Sequence, residues 1–122
     1  MENSTEVFRP SIVVDMKKNR IRIHQKTLHA LGDPGFVMLI INPGEHTLGI
    51  KCSMQDEKRA HRVRKSTVKK ECELYSKSLM SAFRKLCPDW DGRKSYRMEG
   101  EIIAGENMAV FSMADPFCRV IE

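Results

Sequence analysis

The sequence predicts an α+β domain in which one unit, strand–helix–strand–strand–strand, is used twice. Three observations predict it. First, Ile21-Arg22-Ile23-His24-Gln25-Lys26-Thr27-Leu28 is echoed by Cys72-Glu73-Leu74-Tyr75-Ser76-Lys77-Ser78-Leu79, so a short alternating strand twice enters a helix opened by Lys-(Thr/Ser)-Leu. Second, each copy continues through an apolar strand, a turn and further strands. Third, a chain of 122 residues can build one domain with a real core but not two comfortable ones. The expected organisation is a single domain, residues 1–122, with internal repeats at about 11–65 and 66–122.

Residues 1–9 read as a polar, frayed terminus. Residues 11–16 form the first strand, and Lys17-Lys18-Asn19 a tight turn in which Asn19 tolerates a left-handed backbone. In the strand 20–24, Ile21 and Ile23 face in, while Arg20, Arg22 and His24 face out. A short helix over 26–31 sets Leu28 and Leu31 three apart. Gly32 stops it, and Asp33-Pro34-Gly35 turns the chain. The apolar run 36–41 has strand length; it suits a central strand covered on both faces, or one at an interface. Residues 47–52 return with Leu48, Ile50 and Cys52 on one face. Residues 53–60 are a charged loop. Residues 61–65 read as an edge strand, with Val63 its only strongly apolar member.

The basic connector 65–70 is the midpoint, and the second copy starts at the strand 71–75. In the helix over 76–87, Leu79, Phe83 and Leu86 make one apolar face, with Ser76 as N-cap and Pro88 just beyond its end. A polar loop, 89–94, surrounds the only tryptophan, Trp90. The strand 96–103, a hairpin turn over 104–107 and the strands 108–113 and 117–121 complete the unit. This copy is longer between its helix and returning strand, mostly around 87–94.

Composition narrows the function classes. The formal charge is +5 and the pI about 9.2, which favours polyanionic partners. No apolar run approaches the roughly 20 residues that span a bilayer, so no membrane association is expected. The N-terminus lacks a basic segment followed by an apolar one, which predicts a cytoplasmic protein. Cys52, Cys72, Cys87 and Cys118 form no C-x-x-C pair and read as reduced, mostly buried thiols.

Catalytic patterns are missing. Seven scattered glycines form no phosphate-cradling loop. His24, His29, His46 and His61 lack metal-site spacing. Cys72 has no adjacent base, and Asp89 and Asp91 resemble the start of a calcium loop in which Arg93 stands where an oxygen ligand is needed. The reading is therefore not an enzyme, with no cofactor, metal or small-molecule substrate.

The cations stand out instead. The second helix carries Lys77, Ser81, Arg84 and Lys85 opposite its apolar face. The first carries Lys26 and His29. Lys17, Lys18, Arg20 and Arg22 crowd the hairpin before it, and Arg59, Arg62, Arg64, Lys65, Lys69 and Lys70 form a further basic stretch. Lysines and arginines on a rigid face can neutralise phosphates and release counterions. Trp90, Tyr75 and Tyr96 stand alone, so a stacking platform for single strands is not expected.

Two family resemblances bear on these residues. Arg20-Ile21-Arg22-Ile23-His24, Leu28, Ala30-Leu31-Gly32-Asp33-Pro34-Gly35, Val37, Leu39 and Ile41 resemble the AbrB-type swapped-hairpin transcription regulators over about residues 20–54. His24 stands where that family has proline. This resemblance implies a dimeric regulator or antitoxin that touches DNA near Arg20–Lys26. The whole chain, as two consecutive units, resembles one domain of a DNA sliding clamp. That resemblance rests on topology rather than a sequence signature. It implies a curved antiparallel sheet with two helices on one face, their cations turned to the DNA backbone, in a non-catalytic replication or processivity accessory factor. Carried over by position, the helix residues are Lys26, His29, Lys77, Ser81, Arg84 and Lys85. A clamp chain holds two or three such domains, so a ring here would need a homo-oligomer of six copies; a monomer or dimer is the alternative. The expected partner is double-stranded DNA, bound without sequence preference. A protein-interaction module without nucleic acid is a third reading, with the 36–41 strand as its interface.

Overall fold

The structure, a computed structural model, describes residues 8–64 and 70–121. The expectations for residues 1–7 and for most of the connector, 65–69, lie outside the described residues. The element order is β1 (Ser11–Asp15), β2 (Arg20–His24), α1 (Gln25–Ala30), β3 (Phe36–Asn42), β4 (Thr47–Ser53), β5 (His61–Arg62), β6 (Glu71–Tyr75), α2 (Lys77–Leu86), β7 (Ser95–Ile103), β8 (Met108–Ser112) and β9 (Cys118–Val120). Each boundary falls where the local chemistry changes. Asn19 has φ 55° in the β1–β2 turn, where Asp15 Oδ1 also accepts the Lys18 amide at 3.2 Å. At the end of α1, Gly32 has φ 88°, its amide bonds the His29 carbonyl, and the Asp33 amide reaches back to Leu28, the Schellman arrangement.

Every strand pairing among the described residues is antiparallel. The strand order is β5-β3-β4-β8-β7-β1-β2-β6, with β9 also on β7. The sheet is curved and nearly closed, because Val37 near one end and Cys72 and Leu74 at the other share one buried core. Strand β7 is the pivot. Its first half pairs with β1 and β9, and its second half, from Gly100, with β8. A Cβ at Gly100 would collide with the Val110 carbonyl and the Phe111 ring, so only glycine allows this approach.

The first-half hairpin β1–β2 is inserted between β7 and β6 of the second half. Strands β2 and β6 pair centre to centre, Arg22 opposite Glu73, and each enters a helix at its C-terminal end. Because the two strands run antiparallel, α1 starts at one end of the pair and α2 at the other.

Three expectations need correction. The 61–65 strand is only two residues long, since β5 pairs at His61 and Arg62 alone. The 36–41 strand is not central: β3 lies beside that short edge strand, with Val37 buried and Ile40 41% exposed. Trp90 and Tyr96 are not isolated. Their rings stack at 4.4 Å, Trp90 also stacks on Phe83 at 5.4 Å, and Tyr96 Oη accepts the Asp91 amide at 2.6 Å. The 89–94 loop is thereby pinned to the core.

Candidate nucleic-acid interface

Helix α2 is the best-defined surface element. Ser76 Oγ accepts the Leu79 amide at 3.2 Å and satisfies one orphan donor of the first turn. Leu79, Met80 and Phe83 are buried, which fixes the helix rotation and turns Lys77, Ser81, Arg84 and Lys85 to solvent. Arg84 and Lys85 occupy the last turn, where the helix dipole favours positive charge.

This end of α2 meets two other chain segments. Arg84 Nη2 donates to Asn19 Oδ1 at 2.8 Å, which places the helix beside the β1–β2 turn and its exposed Lys17 and Lys18. The Met16 amide bonds the Lys94 carbonyl at 3.1 Å, which adds the end of the 89–94 loop. Cations at positions 17, 18, 84, 85 and 94 thus come from three segments distant in sequence. Among the described residues, Lys17, Lys18, Lys77 and Lys85 form no ion pair with a carboxylate, while Lys94 lies close enough to Asp91 for their charges to interact. Arg93, by contrast, is held by Asp91 at 3.3 Å.

The β2 arginines are placed differently. The outward row of β2 lies against the outward row of β6, and the two rows carry opposite charges. Arg20 binds Asp15 at 3.0 Å and also Glu73, with its side chain only 12% exposed. Arg22 lies 3.8 Å from Glu71. Burial pushes the Asp15 carboxyl up, but the Lys18 amide and the Arg20 guanidinium outweigh it and hold the group below the usual carboxylate range. Most of the charge of Arg20 is therefore used within the fold.

Lys26 and His29 on α1 lie at the other end of β2, about 15 Å away at strand rise. They line a depression with Phe8, His24, Gln25 and Lys70. His24 caps α1 through Nδ1, which accepts the Lys26 amide at 3.0 Å, and His29 pairs with Asp33 at 3.0 Å. The structure therefore gathers Lys77, Ser81, Arg84 and Lys85 on one helix, adds Lys17 and Lys18, and leaves Lys26 and His29 apart. Lys94 is the cation that sequence reading missed. Its only signal is the β1–β7 register, with Asp15 opposite Ser95, which has no local trace.

The four cysteines are free thiols. Burial pushes Cys87 up to about 11 and, with the nearby Cys87 and Asp115, Cys118 up to about 12. Such thiols stay protonated and are poor nucleophiles at neutral pH. Among the described residues no group of three or more His, Cys, Asp or Glu side chains is placed to hold a metal ion, and no helix is long and apolar enough to cross a membrane. Comparison with models of known protein families, with curated proteins and with solved structures finds no match to this chain.

Proposed function

We propose that this protein is a non-catalytic binder of double-stranded DNA that grips the phosphate backbone through the exposed face of α2 and the adjoining β1–β2 turn. One observation carries the reading: Lys17, Lys18, Arg84, Lys85 and Lys94, from three separate segments, are brought to one end of the fold, and Lys17, Lys18 and Lys85 form no ion pair with a carboxylate among the described residues. Cations held on a rigid helix and a tight turn contact phosphates without a large ordering cost and read no bases. The clamp-like form of this proposal, two related units in a processivity-type accessory factor, draws support from the centred pairing of β2 with β6 and the helix that follows each. Assembly of copies around duplex DNA belongs to that form.

The alternative of an AbrB-like regulator, in which residues 1–55 make an intertwined dimer alone, has less support. The β1–β2 hairpin is flanked on both sides by strands of the chain's own second half.

The test is a titration of a fluorescent duplex of random sequence over a range of salt concentrations. If four to five phosphates are neutralised, log K falls against log salt with a slope of about −4. Reversing Lys17, Lys18 and Lys85 to glutamate should remove most of that slope. Absence of binding at low salt, or binding indifferent to the three reversals, would reject the proposal.

A further inference from the structure

The open flank of β3 offers a second surface, independent of the cationic end. The Cys52 amide bonds the Asn107 carbonyl, so the amides of Leu48, Ile50 and Cys52 face β8. Alternation in an antiparallel ladder then directs the 47, 49, 51 and 53 amides at β3, which engages Phe36, Met38, Ile40 and Asn42. Val37, Leu39 and Ile41 point their N–H and C=O groups at the opposite edge. There β5 takes up Val37, opposite His61, and stops. Leu39 and Ile41 therefore face an edge that carries no strand among the described residues.

A groove of about 680 Å³ lies along this edge, between β3 and α2. Its apolar wall is Leu39 and Ile41 on the strand and Leu79 and Ala82 on the helix; its polar rim includes Lys58 and Arg59. Both cations are exposed, whereas the neighbouring Asp56 and Glu57 do not line the groove.

We infer that this edge accepts an extended acidic peptide segment of a partner protein, which adds to the sheet as a strand antiparallel or parallel to β3. Leu39 and Ile41 supply the main-chain hydrogen bonds. Alternate small apolar side chains enter the groove between β3 and α2, and the acidic side chains between them meet Lys58 and Arg59. Strand addition draws affinity from an unpaired edge and specificity from the side-chain groove beside it. Charge selects the occupant. A second copy docked edge to edge would bring Lys58 and Arg59 of one chain against the same residues of the other.

The experiment uses the full chain and two capped heptapeptides, one alternating glutamate with valine and one alternating lysine with valine. Binding is read by fluorescence anisotropy, and strand addition by amide hydrogen exchange. The glutamate peptide is expected to bind and to slow exchange at Leu39 and Ile41 by about tenfold or more. Lys58→Glu with Arg59→Glu should weaken it about tenfold or more, while Lys17→Glu with Lys85→Glu should leave it unchanged. Binding without protection of those two amides overturns the inference, as does equal binding of the lysine peptide. A free chain that sediments as a dimer with both amides already protected overturns it in favour of a second copy.

Discussion

Segments β2–α1 and β6–α2 start from nearly the same local pattern and end as different devices. Each is a five-residue strand with the burial of its second and fourth residues, followed by a capped helix. Helix α1 has six residues, buries Thr27 and Leu28, and takes its cap from the imidazole of His24. Helix α2 has ten residues, buries Leu79, Met80 and Phe83, and takes its cap from Ser76. The four extra residues of α2 add a turn that reaches Trp90 on the inside and Asn19 on the outside. Length, rather than the opening motif, separates a structural plug from a surface able to present charge.

Core truncation should break the comparison most strongly. Phe83 is fully buried and stacked on Trp90, so Phe83→Ala should cost about 3–5 kcal/mol in urea unfolding, with Leu28→Ala at or below the lower end of that range. Equal losses would mean that the two helices anchor the fold alike. Charge reversal comes next. Lys17→Glu, Lys18→Glu and Lys85→Glu together should weaken duplex binding by about one to two orders of magnitude at low salt, as three lost phosphate contacts imply. Lys26→Glu, at the α1 end, should change it by about twofold at most; a larger effect would move the interface to α1. The caps sharpen the contrast further. Ser76→Ala should destabilise by about 1 kcal/mol in the same unfolding assay, and Ser76→Thr should recover most of it.

The smallest effect is confined to acid. The folded-state carboxyl of Asp15 sits below its usual range, so it stabilises the fold above the unfolded carboxylate pKa, and that contribution is lost as pH falls through the folded value. Asp15→Asn should flatten this acid limb of a stability-against-pH curve. An unchanged limb would place the acid sensitivity in other carboxylates.

Much of the fold was legible because its signals are local. Alternation in Ile21-Arg22-Ile23 and Cys72-Glu73-Leu74 marks strands whose buried residues are the expected ones. Ser76, Gly32 and Asn19 mark a cap, a stop and a turn by local chemistry alone. The candidate interface was legible only in part. The rotation of α2 follows from its apolar stripe, and so does the exposure of Lys77, Ser81, Arg84 and Lys85. The fate of Arg20 and Arg22 was hidden, because their partners Glu73 and Glu71 lie across a strand pairing some fifty residues away in the chain.

The sequence by itself determined the elements, their inward faces and a surplus of positive charge, since periodicity, turn residues and composition act over a few residues. Only the tertiary structure decided which cations are paired within the fold and which surfaces stay open. Pairing β2 with β6 sets Arg20 and Arg22 against carboxylates, pairing β1 with β7 carries Lys94 to the β1–β2 turn, and starting β5 only at His61, opposite Val37, leaves Leu39 and Ile41 facing a bare edge. Strand partnership and register are set by the fit of the whole core, and no short stretch of chain encodes them.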